Sequence, residues 1–279
     1  MTDIKSKTAL ITGGASGIGK LMGRRFLDDG ATNLIIWDID ENKLEETSEE
    51  FQDQGFSVYP YLVDLGDLDQ IREMALDVKQ AVGHIDILVN NAGIVVGKKF
   101  VDHSHEDIAK TININVLGVM HVTRAFLPGM IEKGSLHIIN IASAAGLVGN
   151  PNMSVYASSK WAVLGWSESL RLELEALEGD FRVTTVCPSY IDTGMFEGVK
   201  APLLTPLLKP EEIVDQIMTA VKRNEVLLMA PKIVKLIPFL RGVLPTKVFD
   251  FTAEKLGVYD SMSTFKGKGK ANPSAKTDS

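Results

Sequence analysis

Tyr156 and Lys160 stand four residues apart in Tyr156-Ala-Ser-Ser-Lys160, inside a stretch whose pattern predicts a helix over 154–178. That spacing puts both side chains on one helix face. A phenol with a pKa of about 10 is a poor base near neutrality. An ammonium about 4 Å away favours the phenolate by about 4 kcal/mol at an effective dielectric near 20. This equals roughly three pKa units before desolvation opposes it. The pair therefore reads as a proton acceptor and donor. Taken alone, the same residues also fit a surface tyrosine beside a solvated lysine. Ser143 ends an apolar run ahead of a loop rich in glycine and small residues. That loop lets its hydroxyl meet the phenol, where it would hold a substrate oxygen as charge develops. Asn115 interrupts a long helical pattern. A polar side chain there bends the helix and frees a carbonyl for water, giving Lys160 a path to solvent.

A second group of residues reads as an anion cradle. Thr12-Gly-Gly-Ala-Ser-Gly-Ile-Gly19 joins an apolar run to a helical pattern. Glycines at 13, 17 and 19 permit a tight turn, and the helix start then offers amides to a pyrophosphate. The G-x-x-x-G-x-G spacing differs from the commoner G-x-G-x-x-G. Asp38 follows at the end of the next run, where a carboxylate accepts bonds from ribose hydroxyls and repels a 2′-phosphate. Trp37, Ile39 and Asp40 offer no cation to hold such a phosphate, so NAD is expected over NADP. Asp64 ends the third run and reads equally as an adenine contact or a turn acid. Asn90-Asn-Ala-Gly93 ends the fourth, and its asparagines suit both turn geometry and ties between strands.

Positioning these groups takes a particular architecture. Seven apolar runs, at 8–11, 34–37, 58–63, 85–89, 136–141, 183–186 and 226–229, predict strands. Helical patterns at about 17–29, 40–54, 67–82, 104–131, 154–178 and 210–223 lie between them. The alternation predicts an α/β fold, a single-domain Rossmann-type doubly wound parallel sheet of seven strands with helices on both faces. Ligands bind such sheets beyond the carboxyl ends of the strands, where all of these motifs fall.

With those residues in place the sequence resembles the short-chain dehydrogenase/reductase family in its single-domain form. The resemblance spans about 5–230 and rests on Thr12-Gly-x-x-x-Gly-x-Gly19, Asp64, Asn90-Asn-Ala-Gly93, Asn115, Ser143, Tyr156-x-x-x-Lys160 and Pro188. It implies a tetrad in which Tyr156 is the acid/base. Lys160 anchors ribose and tunes the phenol, Ser143 holds the substrate oxygen, and Asn115 supports a water relay. It also implies a cofactor set of Gly13, Ser16, Gly17, Ile18, Gly19, Asp38, Asp64, Leu65, Asn91, Ala92, Gly93, Pro188, Ile191 and Thr193, together with Tyr156 and Lys160. The family usually shows Pro-Gly after the sixth strand, whereas this chain has Pro188-Ser189; contacts from Ile191 and Thr193 are less secure for that reason. The helices at 104–131 and 154–178 are expected to pair between subunits, giving a homodimer or homotetramer.

Composition narrows the partners. The 279 residues carry a net charge of −7, so nucleic acid is not expected. One cysteine, Cys187, closes no intrachain disulfide, and its place before Pro188 suits a small buried residue. The five histidines show no metal-ligand spacing. No signal peptide or uninterrupted transmembrane run is apparent, and a cytoplasmic location is expected. The loop 189–208 carries Met195, Phe196, Val199, Leu203, Leu204, Leu207 and Leu208, which read as an apolar lid. Leu147, Val148, Met153 and Val155 surround the expected pocket, so a hydrophobic alcohol or carbonyl substrate is expected. Residues 231–265 form a helical extension with apolar positions between Lys232, Lys235 and Arg241, which Pro238 and Gly242 should bend or break. This segment resembles extensions of retinoid-, steroid- and lipid-acting relatives. It reads as a cover for the pocket or a subunit neighbour, or as peripheral membrane contact through 232–249. The domain is thus 1–265, and 266–279 a mobile polar tail. A nucleotide sensor without turnover, and more distantly a dehydratase or epimerase, are the alternative functions.

Overall fold

The computed structural model describes residues 1–267. Most of the expected polar tail lies outside them. All seven strands form: β1 (Thr8–Thr12), β2 (Asn33–Asp38), β3 (Ser57–Leu62), β4 (Ile87–Asn90), β5 (Ser135–Ile141), β6 (Asp180–Pro188) and β7 (Leu227–Ala230). They pair in parallel in the order β3-β2-β1-β4-β5-β6-β7. The chain winds outward from β1 to β3, then returns to place β4 on the other side of β1. Its direction of travel reverses between β1 and β4, which is where a doubly wound sheet opens a crevice.

Alternation along each strand sorts side chains to two cores. On β2, Leu34 and Ile36 join Met22 and Phe26 of helix α1 (Gly17–Asp28), Phe51 of α2 (Glu41–Gln52) and Ile217 of α7 (Pro210–Arg223). Ile35 and Trp37 face the opposite way. They join Ile71 of α3 (Leu68–Val82), Phe126 of α5 (Val119–Glu132) and Leu170 of α6 (Ser154–Glu175). Both faces are covered, so the strands need no polar alternation. Each fully buried residue of this kind contributes about 1.5–3 kcal/mol.

The expected helix over 104–131 forms as one continuous helical run, His105–Glu132, with a change of winding inside it. Helix α4 (His105–Ile112) passes into a π-helical turn, Asn113–Gly118, before α5 begins. A side chain at Gly118 would meet the Leu65 carbonyl at 2.7 Å, so the turn packs directly against the segment after β3. By length and composition the run His105–Glu132 could cross a bilayer, its best 18-residue window having a mean hydropathy of 1.3, yet its apolar face joins the core beneath the sheet. In the extension, Pro238 and Gly242 fall inside α8 (Leu236–Val243) without ending it. Pro238 sits in the first turn, where a missing N–H costs little. The break comes at Leu244-Pro245, with Leu244 extended, before α9 (Thr246–Lys255).

Asp86 clamps the amino ends of the strands. One carboxylate oxygen accepts the Thr8 N–H at 2.9 Å, and the other meets Lys7 and Lys133. Burial alone would raise its pKa, but the Lys133 bond, the Thr8 amide and the two ammonium charges hold it below the ordinary carboxylate value. A depressed folded pKa stabilises the fold above the unfolded pKa, and that contribution is lost as pH falls through the folded one. Asp86→Asn should lower stability at pH 7 by about 1.5–3 kcal/mol. In urea titrations the gap from the native chain should narrow once the pH drops below about 4.

Candidate active site

The crevice between β1 and β4 is stitched by Thr12 and Asn91. Asn91 Nδ2 donates to the Thr12 and Gly13 carbonyls at 3.0 and 2.9 Å, while the N–H groups of Asn91 and Ala92 donate to Thr12 Oγ1 at 3.0 and 3.1 Å. Asn90 donates to Thr123 and Asn140 in the core, so the asparagines tie neighbouring strands together. The glycine turn is packed onto this stitch. A side chain at Gly19 would come within 2.0 Å of the Gly13 carbonyl oxygen, and one at Gly13 within 2.9 Å of Ala92 Cα. Gly17 has φ +54°, and its missing side chain would lie 3.6 Å from Thr193.

Helix α1 therefore begins at the mouth of the crevice. Among the described residues, the Ser16 side chain makes no capping bond, and the first turn carries no acid. The positive end of the helix is left available for an anion, which fits a dinucleotide pyrophosphate. Ile18 is buried beneath it. Asp38 braces the turn: Oδ2 accepts the Ala15 N–H at 3.0 Å and Oδ1 the Asp40 N–H at 3.1 Å. Each carboxylate oxygen has a second lone pair, which suits ribose hydroxyls. Lys43, unnoticed in the sequence, brings a cation to this corner, and Asp40 engages it.

Asp64 closes its own turn, accepting the Gly66 N–H at 2.7 Å; here the turn-acid role expected from sequence is plain. Leu65 is buried behind it against Gly118. At the end of β6, Pro188 pairs with Ala230, and Ile191 bridges to Leu208. Pro188-Ser189 thus still delivers Thr193 to Gly17.

The four candidate catalytic residues also come together. Ser143 ends β5 and begins the turn Ala144–Gly146. Its hydroxyl donates toward the Pro188 carbonyl at 3.5 Å and lies near the Tyr156 phenol. Lys160 Nζ donates to the Ile141 carbonyl at 2.8 Å and lies 5.8 Å from the Tyr156 ring centre. A side chain at Gly93 would meet Asn115 Oδ1 at 3.2 Å and Lys160 Nζ at 3.7 Å, so the fourth strand's loop lies against both. Asn115 is fully buried. It accepts the Ile94 N–H at 2.8 Å and donates to the Ile94 carbonyl at 2.9 Å and Ser159 Oγ at 3.1 Å.

The electrostatics depart from the sequence expectation. Burial dominates for Tyr156 and raises its phenol above the ordinary value, the nearby Ser143 hydroxyl offsetting part of the rise. Burial likewise pushes the Lys160 ammonium down to about 8. The ammonium faces the ring and a carbonyl rather than closing on the phenol oxygen, so the expected lowering of the phenol is not produced by Lys160 in this arrangement.

A pocket opens beside Ser143. Its walls are Ala144, Ala145, Val148 and Met153 on one stretch, Phe196 and Pro202 from the 189–208 loop, and Val234, Ile237 and Val258 from the extension. Tyr156 is 95% buried behind this wall, with Phe196 edge-on at 6.2 Å. Of the residues expected to line it, Leu147 packs instead into a small core with Val234. Leu203, Leu204 and Leu207 are exposed, so only part of the loop's apolar content faces the cavity. Tyr190, Asn150 and Ser261 also line it, and sequence reading passed over all three. Tyr190 alone left a signal, two residues beyond Pro188 at a strand's carboxyl end.

A family model for short chain dehydrogenases matches residues 7–203. Epidermal retinol dehydrogenase 2 of Mus musculus is 36% identical over 96% of this chain and 88% of its own length. The crystal structure of a short-chain dehydrogenase/reductase from Burkholderia phymatum in complex with NAD superposes with a TM-score of 0.80. It is 25% identical and covers 90% of this chain and 97% of its own. A metagenomic short-chain oxidoreductase in complex with NADP gives a TM-score of 0.69 at 27% identity, over 82% and 97%. With the crevice, the phenol and the ammonium all in place, the chain belongs to the short-chain dehydrogenase/reductase family.

Proposed function

We propose that this protein is an NAD-dependent oxidoreductase that moves hydride between a hydrophobic alcohol and its ketone or aldehyde. The observation that carries the reading is the convergence of the Ser143 and Tyr156 hydroxyls at the edge of an apolar cavity. The retinol dehydrogenase relative supports a hydrophobic substrate, and the NAD complex of the Burkholderia phymatum relative supports the cofactor. Asp38 favours NAD over NADP by charge. The α1 amino end would hold the pyrophosphate, and Asp38 the adenosine ribose. Thr193 and Lys160 would hold the nicotinamide half. When bound, NAD supplies the hydride acceptor and adds a positive charge to the site.

The chain's own residues handle the proton. Ser143 donates to the substrate oxygen as negative charge builds on it. Tyr156 rests as the neutral phenol, since burial raises it, and this form gives its proton to a carbonyl oxygen during reduction. Oxidation uses the phenolate, which accepts the alcohol proton. Lys160, lowered to about 8 by burial, is mostly charged near neutrality and would hold a ribose hydroxyl of the cofactor rather than lower the phenol from its present position. Asn115 fixes the Ile94 loop to α6, and a water relay past it to Lys160 remains part of the proposal. The intact tetrad weighs against a sensor without turnover. Trp161 and Leu172, exposed on α6, support pairing between subunits as a dimer or tetramer. We place the catalytic domain at 1–265, and the protein in the cytoplasm.

Three outcomes test this. Tyr156→Phe should cut turnover by about a hundredfold or more while leaving NAD affinity within a few-fold, read from absorbance at 340 nm and cofactor titration. Asp38→Ala should weaken NAD about tenfold and shift the NADP-to-NAD ratio of kcat/KM upward. Because the phenol is raised, alcohol oxidation should climb as pH rises from 6 to 9, by up to about tenfold per unit. Carbonyl reduction should not climb over that range. A flat oxidation profile with chemistry rate-limiting would remove Tyr156 from the role of base.

A further inference from the structure

The extension leaves an apolar face in water. Helix α8 reads Leu-Ile-Pro-Phe-Leu-Arg-Gly-Val, yet none of its residues is buried. One side of it is fixed to the protein: Ile237 walls the pocket, and Arg241, four residues on, donates to the Leu147 carbonyl at 2.8 Å. Leu236, Phe239 and Val243 are spaced three and four apart on a different face. All three are exposed, Phe239 by 65%. Helix α9 repeats the arrangement. Ala253 is buried, while Val248 and Phe251 share an exposed face with Lys255. The loop that supplies Pro202 to the pocket adds Leu203, Leu204 and Leu207, also exposed. The Leu203 N–H donates to the Leu256 carbonyl at 3.0 Å, which ties this loop to the end of α9.

Eight large apolar side chains on three connected segments exceed the scattered exposure that a water-facing surface normally shows. The charges among them decide what covers them. Among the described residues, Lys232, Lys235 and Lys247 form no ion pair, and Lys255 lies over the Phe251 ring at 5.6 Å. Positions 232–255 hold five Lys and Arg against two Asp and Glu, in a chain whose net charge is −7. A second copy meeting this patch across a two-fold axis would set lysines against lysines. A layer with an apolar interior and an anionic surface takes the phenylalanines and the lysines together.

We propose that α8, α9 and the 203–207 loop form a docking surface for an anionic lipid bilayer. The exposed phenylalanines, leucines and valines enter the boundary between headgroups and acyl chains, and the lysines meet the lipid anions. Docking sets the outer side of the pocket wall against the bilayer, since Pro202 and Ile237 belong to the same segments.

The test is flotation of the full chain with vesicles of phosphatidylcholine, alone or with about 30% phosphatidylserine. The native chain should float with the anionic vesicles, bind the neutral ones at least about tenfold more weakly, and lose the difference in high salt. Phe239→Glu combined with Phe251→Glu should lower affinity for the anionic vesicles about tenfold or more. Lys232→Ala, Lys235→Ala and Lys247→Ala together should lower it about fivefold for each lysine. These five side chains are exposed, so an unchanged Tm is expected in both variants. A native chain that floats with neither vesicle, equal binding to both, or binding that either variant retains in full overturns the surface. Self-association that the phenylalanine variant abolishes, without vesicle binding, gives the face to a second copy and overturns it too. Flotation is read without turnover, so its outcome is independent of the oxidoreductase reading.

Discussion

A lysine ammonium buried at the carboxyl edge of the sheet is the constraint around which the site is built. Lys160 is 95% buried, and a charge at that depth survives only with partners close at hand. The Ile141 carbonyl supplies one at 2.8 Å, which fixes α6 to the end of β5. Ser143 follows Ile141 by two residues, and Tyr156 precedes Lys160 by one helical turn. The single bond therefore sets where both hydroxyls stand. The cost of the arrangement shows in the ammonium itself, pushed down to about 8 by burial. A neutral residue at 160 would relieve the cost of burying a charge and lose the bond that ties α6 to the end of β5.

How much of this was legible in the sequence depends on how local each signal was. The strands could be read because unbroken apolar runs such as Leu34–Trp37 suit a sheet covered on both faces. The glycine turn could be read because three glycines between a strand and a helix answer to close backbone contacts, and a side chain at Gly19 would come within 2.0 Å of the Gly13 carbonyl oxygen. That Tyr156 and Lys160 share a helix face could be read from their four-residue spacing, and the family resemblance followed from that spacing with the flanking motifs. The direction of the phenol's shift could not be read. It depends on how deeply neighbours bury the ring, and Phe196 and Met262 lie far along the chain.

The cavity walls were legible only in part, for the same reason: Val148, Met153 and Phe196 line the cavity as expected, but others do not. Asn150 meets Ser261 across 111 positions, and nothing near either residue announces the pairing. Loop 189–208 reads as uniformly apolar, yet the structure divides it: Phe196 and Pro202 turn inward while Leu203 stays exposed. Composition counts apolar residues without saying which of them a turn will face inward. The extension shows the opposite error. Pro238 looked like a break, but its effect depends on position within a helix, and in the first turn it breaks nothing.

Asn115 shows how a departure from regular helix places a functional group. In an uninterrupted α-helix, each residue advances the face by a fixed angle. The π-helical turn Asn113–Gly118 inserts extra backbone at this point, a feature found most often at functional sites. The turn sets Asn115 between two elements that share no strand pairing. Its oxygen and one amide hydrogen hold Ile94, and the other hydrogen reaches Ser159 on α6, next to Lys160. All of its hydrogen-bonding hydrogens are thereby spent on structure. Any share in proton movement must come from fixing the loop and the helix around Lys160, which makes Asn115 a positioning residue first. Gly93 completes the fit, since a side chain there would press on both Asn115 and the ammonium. The π turn, the β4 loop and α6 thus move together or not at all, and the phenol inherits its position from that packing.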